Sequence, residues 1–143
     1  MEYTKDRDRD FLKAYRREMR RAWARKETIE SQELIRRAIE GGAPGFYVGF
    51  ECARRRVSAR LRRRLRNRHR EQIRSKRMLW DDLTDRVESE LSGVGRRRLK
   101  LPEALARVLA KGNAPQFYIE PRTARRILFE TRNNKIEKNK GND

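Results

Sequence analysis

The sequence predicts a mainly α-helical protein: two copies of a helix-turn-short strand-helix unit joined by a long Arg-rich helix, with the two short strands expected to pair. Three observations predict it: a duplicated block, apolar residues at helical spacing, and arginine concentrated in one run. Leu34-Ile35-Arg36-Arg37-Ala38-Ile39-Glu40-Gly41-Gly42-Ala43-Pro44-Gly45-Phe46-Tyr47-Val48, followed by Ala53-Arg54-Arg55, recurs 71 positions later. There it reads Leu105-Ala106-Arg107-Val108-Leu109-Ala110-Lys111-Gly112-Asn113-Ala114-Pro115-Gln116-Phe117-Tyr118-Ile119, followed by Ala124-Arg125-Arg126. Between Leu34 and Val57, 10 of 24 positions match their counterparts without a gap. Unrelated segments share far fewer, so duplication is the simplest explanation.

At 143 residues the chain is read as a single domain over 1–143 with one modest core. Its segments are an N-terminal amphipathic helix in 1–30, repeat 1 over 31–58, a basic-then-acidic helical stretch over 59–92, repeat 2 over 99–130, and a polar tail over 131–143.

In the first segment Asp6-Arg7-Asp8-Arg9-Asp10 alternates charge and favours a solvated helix start. Phe11, Tyr15, Met19 and then Ala22 or Trp23 recur at helical spacing, with Lys13, Arg16, Arg17, Arg20, Arg21 and Arg25 on the remaining faces. Repeat 1 opens with Ser31 as a helix cap, buries Leu34, Ile35, Ala38 and Ile39, and stops at Gly41-Gly42. Its twin opens with Pro102 at the first helical position and stops at Gly112-Asn113.

After each stop comes Ala-Pro-x-Phe-Tyr-(Val or Ile). The proline disfavours helix at the residue before it, and the aromatic and β-branched side chains favour extended backbone. A strand of three residues leaves backbone groups unpaired, so the two Phe-Tyr segments are expected to pair with each other, or with those of another subunit. Glu120-Pro121 then opens a closing helix carrying Ala124, Ile127 and Leu128.

The first closing helix is expected to run on: Val57, Leu61, Leu65, His69, Ile73, Leu79, Leu83, Val87 and Leu91 keep to one side of a helical projection. A break near Trp80-Asp81-Asp82 is the alternative, with Asp81 capping a new start. Arg56, Arg60, Arg63, Arg64, Arg66, Arg70, Arg74 and Arg77 fall on the opposite side.

With 39 Lys and Arg against 21 Asp and Glu, the net charge is +18, and 30 of the basic residues are Arg. Charge is concentrated: residues 54–77 hold 13 bases against the single acid Glu71, while 78–92 carry a net −4. Solvated helix faces are ordinarily balanced, so such an excess points to a polyanion, and the Arg fork suits phosphate. The expected nucleic-acid contacts are Arg54, Arg55, Arg56, Arg60, Arg63, Arg64, Arg66, Arg70, Arg74, Arg77, Arg125 and Arg126. Tyr47 and Tyr118 offer stacking surfaces for unpaired bases, whereas Phe46 and Phe117 are expected to pack inside.

No catalytic constellation stands out. His69 is the only histidine, which excludes sites needing two imidazoles, and no metal spacing links it to Cys52. Cys52 stands where the other copy has Thr123 and is expected to be half-buried. Asp81, Asp82, Asp85, Glu88 and Glu90 are expected to pair with nearby Arg, a divalent-metal nuclease being the minor alternative. Neither an enzyme nor a cofactor or metal is expected. One cysteine and no apolar run of membrane length predict an intracellular, cytoplasmic protein with no membrane partner.

Ala-Pro-x-Phe-Tyr-Val with its following Ala-Arg-Arg resembles a motif of uncharacterised small basic proteins of gut-type bacteria and their phages. The resemblance covers the repeats alone. It implies a phage or mobile-element protein, in a setting where small Arg-rich helical proteins regulate, package or line nucleic acid. The leading expectation is therefore a non-enzymatic binder of DNA or RNA. Its rival is a structural or adaptor subunit, for example of a virion, that docks acidic protein or a second copy of itself.

Overall fold

The computed structural model describes residues 2–62, 74–93 and 99–140. Six helices run through them: α1 (Glu2–Ala24), α2 (Ser31–Glu40), α3 (Phe50–Leu61), α4 (Arg74–Leu91), α5 (Leu101–Lys111) and α6 (Pro121–Lys140). The protein is mainly helical, as its periodicity predicts.

Helix α1 buries Phe11, Ala14 and Ala22 and leaves Met19 and Trp23 outside, so Ala22 completes the apolar stripe. Its 23 residues include the charge-alternating start. Helix α2 starts one residue earlier than its capping signal implies: Glu30 is the cap, and Ser31 already lies inside the helix. It stops at Gly41-Gly42 as its glycines predict, with Gly42 at φ +95°. Helix α5 likewise begins at Leu101, with Pro102 in its first turn. Helix α6 starts at Pro121 and continues to Lys140, through much of the segment read as a polar tail.

Packing joins the two halves of the chain. Helix α1 lies on α2, and α4 lies on α5, but α3 packs against α4 and α5 while α6 packs against α1 and α2. The turns after α2 and α5 meet in one isolated antiparallel bridge, Ala43 with Ala114, and no strand occurs among the described residues. The Ala43 N–H donates to the Ala114 carbonyl (2.9 Å), and the Asn113 N–H donates to the Pro44 carbonyl (2.8 Å). The Phe117 N–H donates to the Ile39 carbonyl (2.8 Å), which satisfies one of the acceptors that the end of α2 leaves over. Pairing thus falls a few residues before the Phe-Tyr segments, which meet through their rings instead.

Phe46 stacks on Tyr118 at 5.9 Å and Tyr47 stacks on Phe117 at 6.3 Å, while Phe11 meets Phe117 edge-on at 5.7 Å. Around these rings Ile35, Ala38, Ala53, Val57, Leu83, Val87, Leu105, Val108, Ala124 and Ile127 close the core. Both Phe of the duplicated block are buried, as expected.

One continuous helix through 54–92 is not what forms. Helix α3 ends at Leu61, where the Arg62 N–H still donates to the Ser58 carbonyl, and α4 lies alongside α3. Two segments of a straight rod cannot touch side by side, so α3 and α4 are separate helices packed together. Nor does α4 break at Trp80-Asp81-Asp82. Val57 and Leu83 are buried in the common core and Leu61 and Leu79 pack against it, which removes apolar surface from water that a lone helix would expose.

Candidate nucleic-acid interface

Ala53 and Val57 are fully buried, which pins one side of α3 in the core and turns Arg54, Arg55 and Arg56 outward, all three exposed. The same logic acts on α6, where buried Ala124 and Ile127 leave Arg125 and Arg126 exposed. Arg54 pairs with Glu51 (3.0 Å) and Arg126 approaches Glu130 (3.9 Å); both contacts are solvent-exposed and exchange readily for another anion. Arg55 makes no ion pair with any described residue. The Arg56 guanidinium lies 6.0 Å from the Trp80 ring centroid, which orients it without neutralising it. Arg125 donates from Nε to the Pro121 carbonyl (3.4 Å).

Arg60 differs from the face expected of it. Its side chain is 6% exposed and its Nε donates to Asp81 Oδ1 (3.1 Å), tying α3 to α4. Burial lowers its pKa, against the raising effect of Asp81. A guanidinium held in this way braces the fold and is not presented to a ligand. Arg77 is half-buried, and Arg74 is exposed at the start of α4. Arg74 and Arg125 line one groove of about 530 Å³ with Arg36, above Ile35, Ile39 and Met78. Arg63, Arg64, Arg66 and Arg70, with His69, lie outside the described residues.

The two tyrosines are already engaged. Each ring stacks on the phenylalanine of the other turn, and each hydroxyl donates to a carboxylate: Tyr47 to Asp10 Oδ2 and Tyr118 to Asp82 Oδ2, both at 2.6 Å. One aromatic face of each tyrosine is therefore taken by the fold. Burial first, then the hydrogen bond to the carboxylate, pushes both hydroxyl pKa values well above the ordinary tyrosine value. Tyr47 holds its place at φ +58°, in the left-handed region that a bulky residue rarely occupies.

Within the acidic cluster Asp81 pairs with Arg60, Asp82 accepts from Tyr118 and Glu90 pairs with Lys111 (2.5 Å). Among the described residues no group of three or more His, Cys, Asp or Glu is placed to hold a metal ion. Cys52 is exposed rather than half-buried, since its side of α3 faces away from the packed Ala53.

The fold also exposes a basic surface that the expected contacts omit. Lys13, Arg16, Arg17 and Arg20 stand on α1 at i, i+3, i+4 and i+7, all exposed, and none pairs with an acid among the described residues. Their spacing, opposite the stripe of Phe11, Ala14 and Ala22, is the signal that marks them. Compared with known proteins, the chain matches no family model, no curated protein and no solved structure. Among the described residues no helix is long and apolar enough to cross a membrane.

Proposed function

We propose that this protein is a non-enzymatic nucleic-acid-binding protein whose outward Arg faces on α3 and α6 hold the phosphate backbone. The supporting observation is the register of those helices: Ala53 and Val57 are buried while Arg54, Arg55 and Arg56 project into solvent, and α6 repeats the arrangement with Ala124, Arg125 and Arg126. An Arg row fixed to a packed helix meets phosphates with little further ordering, and its fork accepts them bidentately. Arg63, Arg64, Arg66 and Arg70 join the proposal on the strength of the sequence alone.

The duplicated unit, in this reading, comprises three helices: α1 to α3 and then α4 to α6. Each closing helix packs on the first two helices of the other unit, and the two turns meet at the Ala43–Ala114 bridge. Two Arg faces then sit on one body, which suits a repetitive backbone better than a particular base sequence.

Fluorescence anisotropy with duplex and single-stranded probes across a salt series tests this. Six to ten phosphate contacts predict an affinity that falls by about three to five decades between about 50 and 200 mM salt. Absence of binding at low salt, or an affinity indifferent to salt, would refute the proposal. A stoichiometric complex with an acidic protein, free of nucleic acid, would assign the same Arg faces to an adaptor.

A further inference from the structure

Trp23 is 83% exposed, the most exposed of the large apolar side chains among the described residues. It follows Arg16 and Arg20 at i+7 and i+3 on α1, so all three lie on the side of the helix facing away from buried Phe11, Ala14 and Ala22. Met19, 47% exposed, flanks them. Behind Trp23 a groove of about 460 Å³ opens between α1 and the start of α2, lined by Arg16, Met19, Arg20, Trp23, Ile29 and Leu34, with Glu27 as its one acid, itself paired with Arg25 and Arg37. The indole, Met19 and the adjoining groove together form an exposed apolar patch rimmed by cations, the composition of an interaction site.

Charge selects among the candidates. The indole is bordered by Arg16 and Arg20, with Lys13 and Arg17 one turn away, and none of the four is neutralised by a described residue. A second copy of the chain, itself at +18, would bring the same unpaired cations onto this face and be repelled. A polyanion carrying flat apolar groups satisfies both features, with phosphates on the guanidinium groups and a ring on the indole. Duplex DNA hides its rings in the stack, whereas unpaired nucleotides present them.

We infer that α1 carries a second nucleic-acid subsite, specific for unpaired nucleotides, in which a base stacks on Trp23 while Arg16 and Arg20 hold the flanking phosphates. The inference rests on the nucleic-acid reading above, but engages a different helix and a different strand state. Trp23 serves as a platform and its arginines as clamps; the Arg faces of α3 and α6 bind whichever backbone is present.

Trp80 is buried, so a Trp80→Phe background leaves Trp23 as the only indole, and an oligothymidine and a hairpin duplex of equal phosphate number serve as probes. The expected results are quenching of Trp23 emission by the oligothymidine but not by inorganic polyphosphate, and about tenfold weaker oligothymidine binding in Trp23→Ala with duplex affinity unchanged. Trp23 lies outside the core, so this variant keeps the fold, and circular dichroism verifies that. Unmoved emission on saturation with oligothymidine, or equal affinities of wild type and Trp23→Ala for it, overturns the inference while leaving duplex binding standing. Loss of all binding to both probes in the wild type overturns the parent reading instead. Concentration-dependent self-association abolished by Trp23→Ala, with no effect on either probe, gives this face to a second copy and also overturns the inference.

Discussion

Gly112 lies so close to the Pro44 carbonyl that a β-carbon on it would overlap the oxygen. Its backbone sits at φ +63°, ψ −141°, a region open essentially to glycine alone. This contact is where the two turns cross beside the Ala43–Ala114 bridge.

Gly112→Ala is therefore expected to cost about 3 kcal/mol, since the strained backbone and the displaced Pro44 carbonyl add together. Gly45→Ala is the control, because a β-carbon there meets nothing within 4 Å, and it should stay within about 0.5 kcal/mol of wild type. Urea unfolding followed by circular dichroism measures both.

The helix boundaries beside this crossing are readable in the sequence, whereas the Ala43–Ala114 bridge itself is not. Gly41, Gly112 and Pro121 mark their helix boundaries because their backbone preferences are local. Trp23 is harder to place. The row Phe11, Tyr15, Met19, Trp23 advances four residues at a time, and 3.6 residues per turn carries each step about 40° around the axis. After three steps the row has left the core, while Ala14 and Ala22 stay on the buried side. The packing of α3 on α4 is hidden for a different reason. Val57, Leu61, Leu79 and Leu83 have the same spacing whether one helix runs on or two helices pack together, since periodicity carries no tertiary contact. Arg60 follows from that packing: only when α4 lies against α3 does Asp81 come within reach.

The paired tyrosines make stability depend on alkaline pH. Tyr47 and Tyr118 keep their protons in the folded state well above the ordinary value of 10.0, so below about pH 10 both states are protonated and the contribution is complete. As pH rises past that point the unfolded chain releases these protons first, and stability declines. Urea midpoints between about pH 8 and 11 should fall in the wild type and fall less in Tyr47→Phe/Tyr118→Phe. At neutral pH each single Phe variant should lose about 1–2 kcal/mol with its charge-assisted hydrogen bond.

Arg55 and Arg60 should separate binding from bracing. Arg55→Ala removes an exposed cation: it should reduce the salt slope of nucleic-acid affinity by about 0.9 and leave stability within about 0.5 kcal/mol. Arg60→Ala removes a packed guanidinium and its pairing with Asp81, so it should cost about 1–3 kcal/mol of stability and leave the slope unchanged. Parallel salt titrations and urea melts of the two variants check the contrast.

Glu120 accepts the Ser75 backbone N–H at 3.1 Å, within the first turn of α4. Its carboxylate thus occupies the place of a capping side chain and faces the positive end of the helix. Glu120→Ala should cost about 1 kcal/mol, with amide exchange accelerating first at the start of α4.

The central claim is that the outward Arg faces of α3 and α6 hold phosphate. It is tested most directly by the salt dependence of duplex affinity in wild type and in Arg54→Gln/Arg55→Gln/Arg56→Gln/Arg125→Gln/Arg126→Gln, with anisotropy as the readout. Removing five phosphate-binding cations predicts a slope of log affinity against log salt shallower by about 4 to 5. An unchanged slope, with both proteins folded and binding equally well, would contradict the claim.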